Sequence, residues 1–217
     1  MWQATVVLFS LFSILSVDTP AVKSGWITYS ITTTGDAYSN ADSLKIFFDE
    51  EVKSLHLFLK GGVEIKTIRR YSTSGNEFEL YFLRNDLHEK IIDVDDWYYL
   101  DVGWPNVERI PASQKILGHK CDQVLIRTGK EIMMEIVSIV DAQPAQNIYM
   151  GFYGIPLVVK TYSEEGYILY EDTEVSFEAE PDFAVEVIAY KETTWEDFLA
   201  RDGEINSIYK VFGFFTP

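Results

Sequence analysis

A chain of 217 residues, 47% hydrophobic and 15% aromatic, is long enough for one large core and short for two. Its 34 acidic residues against 18 basic ones leave a net charge of −16, which repels DNA and RNA and excludes nucleic acid as a partner. One cysteine, Cys121, rules out an intramolecular disulfide framework, so stability must come from burial.

Taken in chain order, the first segment is an almost uncharged run from Ala4 to Val17. It is too short to span a bilayer but suits the apolar core of a signal peptide, and it ends in the small or polar residues Ser16, Asp18, Thr19, Pro20 and Ala21. No Lys or Arg precedes the run, so the α-amino group of Met1 supplies the positive end. The expectation is a signal peptide over residues 1–21, a single β-rich domain over 22–217, no transmembrane helix, and a periplasmic or secreted location.

Period-two alternation then dominates. Leu55, Leu57 and Leu59 share one face against Ser54, His56 and Lys60; Phe78, Leu80 and Phe82 oppose Glu77, Glu79 and Tyr81; Val175, Phe177 and Ala179 oppose Ser176, Glu178 and Glu180. Such segments are half-buried strands. Between them, Gly61-Gly62, Ser74-Gly75, Thr128-Gly129 and Glu165-Gly166 supply the positive φ that tight hairpins need. Strands are predicted at 25–34, 43–50, 53–60, 63–71, 77–84, 97–103, 116–127, 130–140, 156–163, 167–179 and 182–192, with long loops at 103–113 and 141–146. Near the end, Thr194 caps a short helix whose buried stripe is Trp195, Phe198 and Leu199, stopped by Gly203. So many strands with so little helix imply a mainly β fold: a strongly curved antiparallel sheet or partly open barrel with one or two short helices.

Chemistry-bearing patterns are sparse. No Gly-x-Ser-x-Gly elbow, phosphate-cradling glycine loop or His-Glu-x-x-His occurs, so no catalytic residue, cofactor or metal is expected. His119 and Cys121 alternate on one strand, yet two ligands do not make a zinc site, and a lone cysteine reads as a small buried hydrophobe. Asp93-Val94-Asp95-Asp96 concentrates carboxylates without the glycine and distal glutamate of a calcium loop. Aromatic residues are the unusual resource: Trp97, Tyr99 and Trp104 lie close in sequence, and Phe152 and Tyr153 precede Gly154. They line a pocket for acyl chains, stack on sugar faces, or fill the interior.

Two short stretches carry a family resemblance. Ile116-Leu117-Gly118-His119-Lys120-Cys121 resembles the "I-x-G-Y-K-C" signature of the GLPGLI family of exported Bacteroidetes domains of unknown function. Gly151-Phe152-Tyr153-Gly154-Ile155-Pro156-Leu157 is similar to that family's "G-x-x-G-L-P-G-L" stretch, matching at Gly151, Gly154, Pro156 and Leu157. The Asp101 to Trp104 segment sits where the family carries a Trp, while 132–136 departs from its pattern. The resemblance implies an architecture like that of outer-membrane lipoprotein carriers, with a curved sheet cupping an apolar cavity, and implies no catalytic residues. The structural family positions are Gly118, Cys121, Gly151, Gly154 and Pro156.

The function expected on these grounds is non-enzymatic: a cell-envelope protein that binds a lipid or other hydrophobic ligand in the concavity of its sheet. Trp97, Tyr99, Trp104, Phe152, Tyr153, Ile155 and Leu157 are the cavity candidates. The alternatives are an interaction or scaffold protein with a solid core, or a carbohydrate-binding module.

Overall fold

The computed structural model describes residues 21–35, 39–49, 52–71, 78–85, 87–92, 106–140, 143–144, 154–178 and 189–201. Two meanders build the sheet. The first runs β2 (Gly25–Gly35), β3 (Ala41–Phe48), β4 (Val52–Leu59), β5 (Glu64–Tyr71), β6 (Phe78–Arg84) and β7 (Leu87–Ile92), each strand antiparallel to the last. The second begins at the far edge with β8 (Asn106–Ile116) and works inward through β9 (His119–Thr128), β10 (Glu131–Ile139), β12 (Ile155–Ser163) and β13 (Gly166–Ser176). β13 then pairs antiparallel with β2, and β14 (Lys191–Thr194) returns to lie parallel to β7. The result is one open sheet of twelve strands, mainly antiparallel, followed by the short helix α1 (Trp195–Arg201). A separate parallel pair joins β1 (Ala21–Val22) to β11 (Gln143–Pro144).

Alternation dictates what this sheet buries. Ile27 and Tyr29 on β2 lie opposite Ile46 and Leu44 on β3, which in turn lie opposite Leu55 and Leu57 on β4. All six are buried and belong to one apolar cluster that also takes in Leu80 and Phe82 of β6 and residues of the second meander. Helix α1 seals the end of this face. Thr194 caps it as the sequence indicates, its Oγ1 accepting the amide N–H of Asp197 at 3.2 Å. Trp195 and Phe198 are buried, and the Phe198 ring meets Phe82 edge-on with centroids 5.2 Å apart. A seven-residue helix is not stable alone, so these rings hold it. Burial of a side chain such as Phe198 contributes about 1.5–3 kcal/mol.

Three sequence expectations need correction. Residues 106–116 are β8, not part of a loop, because every residue from Asn106 to Lys115 is exposed on both faces and leaves no apolar alternation to read. The strand expected over 116–127 is broken at Leu117-Gly118, where φ values of 49° and 86° make a two-residue hairpin between β8 and β9. Gly118 therefore serves a turn. Residues 87–92 form β7, hidden in the sequence because its inward position Glu89 is charged. The strands expected at 97–103 and over most of 182–192 lie outside the described residues.

Glu89 itself is 0% exposed, and Arg201 at the end of α1 reaches it with two bonds, Nη2 to Oε2 at 2.5 Å and Nη1 to Oε1 at 3.2 Å. Thr193 donates its hydroxyl to Oε1 at 2.6 Å. Burial by itself would raise the Glu89 carboxyl, but the hydrogen bonds from Arg201 and Thr193 outweigh it and hold the group below the usual range. A depressed carboxylate stabilises the fold above its unfolded value, and that contribution is lost as pH falls through the folded value. Arg201→Ala should therefore lower stability at neutral pH by about 2 kcal/mol, less than for a fully buried pair because Arg201 stays partly in water. Urea titrations should show the gap from wild type narrowing only as pH falls through the folded value of Glu89, which lies below the usual glutamate range.

The β2–β13 seam depends on glycine at one end. Gly166 lies opposite Gly35 with φ near +144°, and a Cβ there would run into the carbonyl oxygen of Thr34. Gly166→Ala should lower the thermal midpoint, with a loss above about 1 kcal/mol, whereas an alanine at Gly62, which has open space around it, pays only the positive φ.

Candidate functional site

Three features could carry function: the concave face, a polar cluster on the opposite face, and the edge at β8. The concave face was the expected ligand site. Of its seven candidates, Trp97, Tyr99, Trp104, Phe152 and Tyr153 lie outside the described residues, as does Gly151. Ile155 and Leu157 are placed on β12 and have no exposed surface. The wall of a chamber wide enough for an acyl chain faces a space at least as large as a water, so these two side chains meet protein instead. The same holds for Ile27, Tyr29, Leu44, Phe48 and Phe82, all fully buried.

The family positions that are described act through the backbone and packing. Gly154, with φ near 92°, turns the chain into β12. Pro156 sits inside β12 opposite Ser138, beside a register shift in β10, where its missing N–H is tolerated. Its carbonyl accepts the Tyr29 hydroxyl at 2.6 Å, a bond that reaches across β13 from β2. Cys121 is fully buried as a free thiol, its Sγ 3.5 Å from the carbonyl of His119. The His119 ring packs edge-on against Phe177, 5.5 Å between centroids. Among the described residues, no three His, Cys, Asp or Glu side chains converge as metal ligands.

On the opposite face of β4, sequence reading missed a constellation. His56 Nε2 lies 2.8 Å from Ser54 Oγ, and His56 Nδ1 lies 3.0 Å from Glu64 Oε1. Ser, His and Glu thus follow the hydrogen-bond order of a hydrolase triad. The signal was present in principle: Ser54 and His56 are two apart on one strand, and the Gly61-Gly62 turn brings Glu64 back beside them. Desolvation lowers the His56 ring below its usual value, helped by Lys66 and opposed by Glu64, so the imidazole is neutral at neutral pH. A neutral imidazole can accept the Ser54 proton. What the cluster lacks is reach. Ser54 is 1% exposed, opposite Phe47, whose ring also closes on His56 at 4.8 Å. β4 is paired on both sides, so its amides are engaged in ladders and offer no oxyanion donors.

A fluorophosphonate probe should leave Ser54 unmodified across the neutral range, as read by peptide mass spectrometry, and Ser54→Ala should change stability by only about 1 kcal/mol. Stoichiometric labelling of Ser54 would make it a nucleophile.

The third feature is β8. It ends the sheet, and its outer edge is unpaired among the described residues. Its charges are drawn toward its own neighbour β9: Arg109 pairs with Asp122, and Glu108 with Arg127 at 3.2 Å. Asp122 is buried and also accepts the N–H of Ala112 at 2.8 Å, which pins the bulge after Pro111. Val107 and Ile110 are left 47% and 36% exposed.

No family model matches the chain, and no curated protein does. Among solved structures, the chain is similar to PNGF-II, seen in a P21 crystal form. The two share 15% identity with a TM-score of 0.50, over 82% of this chain and 32% of that one. The chain spans about a third of the length of that structure. At such identity the likeness concerns the fold alone.

Proposed function

We propose that this chain is an exported, non-enzymatic cell-envelope protein that works by docking a protein partner along β8. The observation that carries this reading is the strip Asn106–Ile110, where an unpaired backbone edge runs beside the exposed apolar side chains Val107 and Ile110. Such an edge is a template for an added strand. Beyond the strip, Pro111 lacks an N–H and Ala112 turns its own toward Asp122, so a partner strand would be confined to the first half of β8.

The filled concave face supports a solid-cored interaction protein over a hollow carrier, because the buried face of the first meander is occupied by its own side chains. The sealed position of Ser54 supports a non-enzymatic role. The resemblance to GLPGLI-like exported domains and the apolar run from Ala4 to Val17 support the envelope location.

A photo-crosslinker at Ile110 should capture one protein at fixed stoichiometry in cells of the source organism, and adding Val107→Lys should abolish capture while leaving the circular-dichroism spectrum unchanged. A crosslinker at Glu174, on another strand, should capture nothing. Saturable uptake of a fluorescent fatty acid by the delipidated protein, with no capture at Ile110, would favour the hollow carrier and overturn this reading.

A further inference from the structure

Asp172 is a buried acid that the proposed docking strip does not use. It is 8% exposed, and neither carboxylate oxygen has a hydrogen-bond partner. Buried polar groups are almost always satisfied, and an unpaired buried charge is strongly disfavoured, so such a group calls for an explanation. Its place in the fold supplies one. Asp172 sits in the ladder between β13 and β2, opposite Tyr29, at the point where the register shifts before Glu174. The extra residue, Thr173, ties itself to the opposite strand through its hydroxyl, which donates to the Thr28 carbonyl at 3.2 Å. Alternation from Tyr170 already turns the acid into the interior, opposite Tyr29, and the bulge that follows it keeps Glu174 exposed and returns Val175 to the inner face.

The seam in question is the join between the two meanders. Beyond the bulge it continues for three register pairs, Glu174 with Thr28, Val175 with Ile27 and Ser176 with Trp26. We propose that Asp172 is a proton-operated latch on this end of the seam: uncharged, it seats the bulge and holds the last three pairs, and charged, it loosens them.

The groups around Asp172 permit this. On its own strand Glu171 is exposed and repels the charge. From β2 comes Tyr29, whose hydroxyl is already committed to Pro156. β12 offers only apolar side chains at Ile155 and Leu157. His119, at the start of β9, is the one described cation whose charge favours the ionised form. Burial, with the repulsion from Glu171, outweighs the pull of the residue's own backbone N–H and of His119 and pushes the carboxyl up to about 6. A carboxyl raised in the folded state binds a proton there that the open state has already released. Closure is therefore favoured below that value and weakens as pH rises through it, flattening only above it.

Amide hydrogen exchange of the full chain, corrected for the intrinsic effect of pH, reads the latch directly. Protection at residues 26–28 and 174–176 should be about tenfold lower at about pH 7.5 than at about pH 5, and Asp172→Asn should remove that difference. Equal protection at both pH values, or the same pH dependence in the Asn variant, would overturn the proposal. Should the variant fold poorly, carbon-13 NMR of the wild-type carboxyls decides: a titration of Asp172 near 6 is expected, and a midpoint in the ordinary aspartate range sinks the latch.

Discussion

The ladder between β2 and β13 is the constraint on which the fold depends. Each meander is built from neighbours in sequence, and hairpin turns set its register. The seam has no such help. Ser30 donates to the carbonyl of Glu171 across 141 residues, and Tyr29 reaches over β13 to the Pro156 carbonyl across 127. What fixes this pairing is complementarity: two glycines face each other at Gly35 and Gly166, and Tyr29 and Tyr170 are buried alongside. A one-residue slip would turn those side chains outward, so burial specifies the register even without a turn to impose it.

Buried charge is handled in three ways along the same sheet. Glu89 is paired by Arg201 and Thr193, which fastens the helix to the outer strand of the first meander. Asp122 is paired by Arg109 and by a backbone N–H, which fixes the bulge of β8. Asp172 has neither. The first two are anchors at the two margins of the sheet, and the third stands in the middle, where a charge without a partner is least tolerable. Their contrast, rather than any one of them, separates structural from responsive acids.

Much of this was readable from residues. Alternation located β2 to β6, β9, β10, β12 and β13 because one face of each is apolar, whereas the two-residue β11 falls where a loop was expected; Thr194 with Trp195 and Phe198 announced the helix. β7 and β8 were hidden for opposite reasons: Glu89 places a charge where an apolar residue belongs, and β8 buries neither face. Function was harder. Whether an aromatic or aliphatic residue lines a space or fills one is a property of packing between strands distant in sequence, so Ile155 and Leu157 looked the same either way. The Ser54, His56 and Glu64 cluster, by contrast, was legible in spacing but not in accessibility, which decides what it can do.

Two meanders that meet along a single seam also have a history during folding. The strands from Gly25 to Ile92 can pair with one another long before Gly166 to Ser176 exist, and until then β2 carries an open edge with Ile27 and Tyr29 on its apolar face. The matching edge belongs to β13, and nothing in the ladder distinguishes the β13 of the same chain from that of a neighbour. Exchange of whole meanders between two copies would rebuild every contact of the seam, so a domain-swapped dimer is the misassembly built into this topology, favoured wherever nascent chains are crowded.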